Sequence, residues 1–491
     1  MRQIQPRQMK LGETGIADVV FDPRSRDDIP QLLRGLQYIY VTPTVRDEVF
    51  AVLEAVVPQG VDPTNGRPGM DLWKILVMGT LRLNLNCDYD RLHELVNNHR
   101  TVRQMLGHGL LDDDETYALD TVKANVRLLT PEVLDRINQV VVKAAHRLVK
   151  NNVADPLRGR CDSFVVETDV HYPTDINVLF DAARKVIELL AVLCQFFHLT
   201  EWRQSAYQIR QLKKLFRKAQ TLKRSHSKDP EKKEAQKARV IEAHQAYLER
   251  ASALLDKAQD TLLKLEHLFA ANPAQVAEIQ RFMDHARRQI EQVARRVLAG
   301  ETIPHEEKVF SVFEEHTEWI SKGKAGVPVE LGLRVCVLED QHGFILHHRV
   351  MERETDDKVA VPMVTEAQAR FPDLSVCSFD KGFHSQPNQA ALPERLELVV
   401  LPKKGRLSVP DQAREHADDF VAVRRRHPAV ESAINALEVH GLDRCLDHGL
   451  DGFKRYVALA VVARNIQKLG AVLRKREKLP DSKRRNRCQA A

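Results

Sequence analysis

A strand pattern that starts, stops for a long helical stretch and then resumes constrains this chain more than any other feature. Residues Cys161 to Val170 are rich in Val and Phe and read as a strand, which Pro173 breaks. Thr174 and Asp175 then offer a helix cap, and Ile176, Leu179, Phe180, Ala183, Ile187 and Leu190 recur at helical spacing. Helical patterning with high charge continues across residues 181–300, broken near Ser225-His-Ser-Lys-Asp-Pro230, where two long helices are expected to turn back as a hairpin. Strand signals return at Val309 to Phe313 and at Val329 to Leu338. The turn Gln341-His-Gly343 then leads into Phe344 to Met351. A short helix from Thr365 to Arg370, a strand ending at Asp380, a helix from Gln386 to Leu392, a strand from Leu396 to Leu401 and a helix over Val430 to Val439 complete the expected order.

Strand, insertion, hairpin, helix, strand, helix, strand, helix is the order of a ribonuclease-H-like α/β core, of the kind found in retroviral integrases, with its first connection expanded. The expected organisation is a helical region over 1–155, the first core strand within 156–180, the helical insertion over 181–300, the remainder of the core over 301–470 and a basic tail over 471–491. In the first region Thr130-Pro131-Glu132 places a capping residue before a proline at the first helical position, ahead of an apolar face. Helices are also expected over Asp71 to Arg82, Tyr89 to Asn97 and Thr101 to Leu106. Short helices with short connections suit a DNA-binding helix-turn-helix, although any helical bundle has the same pattern.

Three acids fall at chemically telling places in this order. Asp162 opens the first strand, Asp380 ends Leu374-Ser-Val-Cys-Ser-Phe-Asp380, and Glu431 lies on the late helix. Short Asp side chains held by a sheet and a longer Glu reaching from a helix can share a pair of Mg²⁺ ions, with Mn²⁺ as a substitute. Such a pair clamps both oxygens of an in-line displacement at phosphorus. Gly382 after Asp380 permits a tight exit that leaves the carboxylate uncovered. Two alternatives stay open. Asp169 competes with Asp162 through a change of register, and Glu438 competes with Glu431 from nearly the same helical face. Lys322 and Lys324 around Gly323, Lys381 after Asp380, and Arg424, Arg425 and Arg426 before Glu431 are candidate phosphate contacts. His347 and His348 are adjacent in a strand and point to opposite faces, which disfavours a shared metal.

The net charge of +6 is small for 491 residues, but its distribution is uneven. From Arg203 to Arg250 there are 14 Lys or Arg against 5 Asp or Glu, an excess of +9, and the tail from Arg474 to Arg487 is similarly basic. Both read as footprints for a polyanion. The seven cysteines are scattered, without zinc-ligand spacing or a disulfide framework, as expected of a reducing cytoplasm. No apolar run approaching the length of a membrane span is evident, so no membrane partner is expected.

Four blocks together resemble a bacterial insertion-sequence DDE transposase, most similar to the ISNCY type. They are Asp162-Ser-Phe-Val-Val-Glu-Thr-Asp-Val-His-Tyr-Pro-Thr-Asp175, Glu318-Trp-Ile-Ser-Lys-Gly-Lys324 leading to Val329-Glu-Leu-Gly332, Phe379-Asp-Lys-Gly-Phe383, and Val430-Glu-Ser-Ala-Ile-Asn-Ala-Leu-Glu-Val-His-Gly441. The resemblance extends from the amino-terminal helical region to Asn465. It implies that Asp162, Asp380 and Glu431 are the catalytic triad, with Mg²⁺ as cofactor. It also implies double-stranded DNA as partner, both the element's terminal inverted repeats and a target, bound by a homodimer or larger assembly on the nucleoid. Many related enzymes carry an Arg four residues before the glutamate and a Lys seven after, where this chain has His427 and Glu438. Their insertion often follows the second aspartate, whereas here the helical stretch precedes it.

Overall fold

The computed structural model describes residues 14–22, 24–56, 69–109, 115–152, 155–222, 229–265, 273–321 and 328–477. The protein is mostly helical, with one mixed sheet in an α/β region. It divides into two compact units, Val170–Trp319 and the remainder of the chain on either side of it.

In the larger unit the strands are β1 (Leu157–Thr168), β2 (Glu318–Ser321), β3 (Val329–Glu339), β4 (Ile345–Met351), β5 (Leu374–Phe379), β6 (Leu398–Val400) and β7 (Arg444–Cys445). Five of them run in the order β4-β3-β1-β5-β6, while the short β2 and β7 lie against β3 and β1. β3 is antiparallel to both β1 and β4, and β5 is parallel to both β1 and β6. The expected hairpin is present, with Gly343 at φ 83° and the Asp340 amide donating to the Phe344 carbonyl at 2.9 Å. The β1–β5 register pairs Cys161 with Phe379, so the next residue on each strand line is an aspartate, Asp162 and Asp380.

The helix Gly449–Glu477 runs through this unit, packed against the helices Asp28–Val41, Leu72–Asn84 and Pro131–Val149 and against β4. It is apolar almost all round because neighbours surround it. Contrary to the sequence expectation, it is long and apolar enough to cross a membrane by length and composition, and 72% of its most apolar window is buried inside the protein. Glycines set its closest crossing. A Cβ on Gly470 would lie 1.9 Å from the Gln31 carbonyl oxygen, and one on Gly35 would lie 2.2 Å from that of Ile466.

Polar groups that enter this core are matched. Asn465 accepts from the Ile345 amide at 3.0 Å and donates to the Ile345 carbonyl at 2.9 Å, and the side chain of Asn138 donates to the same carbonyl. Both asparagines are fully buried and complete the backbone bonding of β4. The turn after β3 is fixed in the same way, by a 2.6 Å contact between buried His146 and Asp340.

The second unit consists of the helices Asp175–Phe196, Ser205–Thr221, Pro230–Leu265 and Pro273–Val293 around their own apolar core. Thr174 caps the first, as expected, accepting from the Asn177 amide at 3.2 Å. Tyr247 donates to the Ile176 carbonyl at 3.1 Å and Trp202 to Thr261 at 2.9 Å, which ties the long helix to its neighbours. The break expected near Ser225 to Pro230 falls largely on residues 223–228, outside the described residues.

Three local expectations need correction. Val309 to Phe313 is not a strand. Ser311 accepts from the amides of Phe313 and Glu314 in a turn, and Val312 buries into the helical core, so no neighbouring strand completes its ladder. The helix expected at Thr365 begins at Asp356 and contains Pro362. The sequence order also lacked the helices Val409–His416 and Asp418–Arg424 and the last core helix.

Candidate active site

The half-buried side chain of Asp162 projects from mid-β1, and its Oδ1 accepts from the Ser163 amide at 2.8 Å. Burial, followed by the like charges of Asp380, Asp356 and Glu431, pushes its pKa up to about 6 against the pull of that hydrogen bond. Four carboxylates from separate elements therefore share one electrostatic neighbourhood. Asp380 is exposed immediately beyond β5. It stands at the cap position of the short 3-10 turn Lys381–Phe383, yet its side chain makes no capping bond. Glu431 is exposed in the first turn of the helix Ala429–Leu437, which packs against β1. None of Asp162, Asp380 and Glu431 is engaged in an ion pair among the described residues.

Asp356 was not anticipated from the sequence. Its Oδ1 accepts from the Ser163 hydroxyl at 2.7 Å, and its Oδ2 would lie 2.7 Å from a Cβ built on Gly382. Gly382 thus leaves room for this carboxylate, and its φ is not in the left-handed region. The sequence signal was a double acid, Asp356-Asp357, in the first turn of a helix. That signal is ambiguous because acids favour any helix start.

His427 is also held here. Its Nδ1 is 3.0 Å from the hydroxyl of buried Ser378 on β5. Burial lowers its pKa, partly offset by the charges of Asp380 and Glu431, so the ring is predominantly neutral at pH 7. Lys404 reaches the Gly382 carbonyl at 2.8 Å and braces the exit from β5.

The alternative acids lie in other surroundings. Asp169 is exposed and 3.5 Å from Arg444. Glu438 lines a cavity of about 480 Å³ with Glu167, Glu330, Asp443 and Arg444. Among the basic candidates, Lys381, Arg425 and Arg426 are exposed, and Arg424 lies 3.5 Å from Glu415. Lys322 and Lys324 fall outside the described residues. His347 contacts Glu366 and Arg370, while burial drives the pKa of His348 down to about 3.

Among the described residues no group of three or more His, Cys, Asp or Glu side chains is placed so that it could hold a metal ion. Mg²⁺ retains water and takes one or two carboxylates together with substrate phosphate, so it would need fewer protein donors than such a group supplies. Asp162, Asp380 and Glu431 are the carboxylates that would serve it. No family model, no curated protein and no solved structure matches the chain.

Proposed function

We propose that this chain is an insertion-sequence DDE transposase, most similar to the ISNCY type, that binds terminal inverted repeats and catalyses Mg²⁺-dependent DNA cleavage and strand transfer. One observation carries the reading: the register that pairs Cys161 with Phe379 puts Asp162 and Asp380 side by side at adjacent parallel strands, and the helix that bears Glu431 packs against the same strand β1. The strand order β4-β3-β1-β5-β6, with β3 antiparallel and β5 and β6 parallel to β1, supports reading the sheet as a ribonuclease-H-like core.

Asp162, Asp380 and Glu431 would hold Mg²⁺, or Mn²⁺ in its place. When bound, a pair of these ions supplies positive charge to the attacking and leaving oxygens of a displacement at phosphorus. The protein's own part is positional. β1 and β5 hold two carboxylates on adjacent parallel strands, and the helix Ala429–Leu437 presents the third. Asp162 must be ionised to act as a donor, which makes the site sensitive to mildly acidic pH. Lys381, Arg425 and Arg426 are free to touch phosphate and fix the register of DNA without reading bases. The neutral, tethered His427 steadies β5 beside Asp380 where many related enzymes have an Arg. Water serves as nucleophile in cleavage and the resulting 3′-hydroxyl in joining, so no covalent protein–DNA intermediate is needed. The helical region 1–155 is the proposed DNA-end reader, and a homodimer or larger assembly acting in the cytoplasm on nucleoid DNA completes the proposal.

The test incubates purified protein with a labelled duplex carrying its own element's end and a target plasmid, with Mg²⁺ or EDTA, beside Asp380→Ala. Metal-dependent nicking and a joined product, both lost in the variant, are expected. Cutting without joining would make the protein a nuclease, and a shifted but uncut duplex would make it a DNA-binding protein without catalysis.

A further inference from the structure

We infer that the helix Ser205–Thr221 is a duplex-DNA backbone contact, made through a basic stripe on its outer face. The choice of DNA as the polyanion rests on the function proposed above; the stripe itself rests on independent observations. Arg210, Lys213, Lys214, Arg217 and Lys218 are all exposed and recur at spacings of three and four residues, so they gather on one side of the helix. Ile209, Leu212, Phe216 and Ala219 recur on the other side and pack into the core of this unit. Exposed Tyr207 extends the outer face by one turn.

From Trp202 to Leu222 the sequence contains no Asp or Glu at all. Among the described residues Arg210, Lys213, Lys214 and Arg217 form no ion pair, and Lys218 has only a 4.0 Å approach to exposed Glu242. Like charges at these spacings repel and weaken a helix. A solvated surface would relieve that repulsion with interleaved acids, as the adjacent helix Pro230–Leu265 does with Glu231, Glu234, Glu242, Glu249, Asp256 and Asp260. Five of the fourteen basic residues counted from Arg203 to Arg250 thus lie on this one helix, with no acid among them. Leaving repulsion uncompensated is physically reasonable where a partner supplies the missing anions.

Duplex DNA matches the stripe in spacing. Arg210 to Lys218 spans about 12 Å at the α-helical rise. That length of duplex axis carries about seven phosphate charges over its two strands. The contact would be independent of base sequence and strongly weakened by salt.

The test measures binding of the full-length protein to a fluorescent duplex of arbitrary sequence across a salt series. Wild type is compared with the triple variant Arg210→Gln, Lys214→Gln, Arg217→Gln and with the charge-preserving triple Arg210→Lys, Lys214→Arg, Arg217→Lys. Circular dichroism checks that each is folded, and all three sites are exposed. The neutralised variant is expected to lose about tenfold or more in affinity, with a salt slope shallower by up to about 2.7 for three lost phosphate contacts. The charge-preserving variant is expected to behave as wild type. An unchanged affinity and slope in the neutralised variant would overturn the inference, as would wild-type binding to phosphatidylserine vesicles equal to its binding to duplex. Cleavage and joining by wild type are scored in parallel. Their absence alongside a stripe-dependent loss of duplex binding would sink the transposase reading and leave the stripe standing. Active wild type with an insensitive stripe variant would do the reverse.

Discussion

Asp162 shows how much of a residue's chemistry depends on its surroundings. Its ordinary pKa lies near 3.8, and in the folded protein it is pushed up to about 6. The folded state therefore keeps this proton at a pH where the unfolded chain has released it. Its contribution to stability is fully present below pH 4 and lost as pH rises through 6. Asp162→Asn is expected to leave the melting temperature unchanged at pH 4 and to raise it by about 1–2 °C above pH 6, a small figure because the group is partly solvated. Mg²⁺ should raise the melting point of wild type above pH 6 and not that of the variant. Thermal scans at several pH values, with and without the metal, check both statements. The sequence was informative here up to a point. Position in the strand order singled out Asp162, Asp380 and Glu431, whereas Asp356 was invisible because an acid in the first turn of a helix usually only favours the helix dipole.

At the scale of elements, two helices meet without side chains between them. The space over Gly470 is occupied by the Gln31 carbonyl, and that over Gly35 by the Ile466 carbonyl. Backbone cannot swing aside as a flexible side chain can. Gly470→Ala would gain about 1 kcal/mol of helix propensity. Separating the helices should cost more than this, typically about 1–3 kcal/mol for overpacking and more against rigid backbone. A net loss of stability is therefore expected, seen as a lower denaturant midpoint with an unchanged slope. Elements with strong local signals were legible: the caps at Thr130 and Thr174, the hairpin closed by Gly343 and the strand leading to Asp380. The strand expected at Val309 to Phe313 failed because a short apolar run says that something is buried, not whether another strand is there to pair with it. Asn138 and Asn465 stand on apolar helices because β4 supplies their hydrogen-bond partners, which the helix pattern does not reveal.

On the scale of the molecule, the chain leaves the sheet after β1, forms a helical unit with its own core and returns at β2. Tyr172 and Trp319, near the two ends of that excursion, are in edge contact with ring centroids 5.6 Å apart, so a short bridge can replace everything between them. Replacing residues 173–318 with a short Gly-Ser linker is expected to leave a folded sheet unit with cooperative thermal unfolding. The excised segment alone should be helical. Loss of cooperative unfolding in the linker form would show that the larger unit depends on the insertion. What the sequence by itself determined was the kind and order of most strands and of the helices with clear caps, because helical and strand periodicities are local and a turn or cap needs only its neighbours. It also put acids at two strand positions and on one helix. What only the tertiary structure decided was which charges share a neighbourhood: that Asp356 joins Asp162, Asp380 and Glu431, that Asp169 and Glu438 lie beside Arg444 and in a separate cavity, and that five of the basic residues line the outer face of one helix. Coulomb interaction and burial depend on distance in space, and chain order does not fix that distance until the sheet register and helix packing are set.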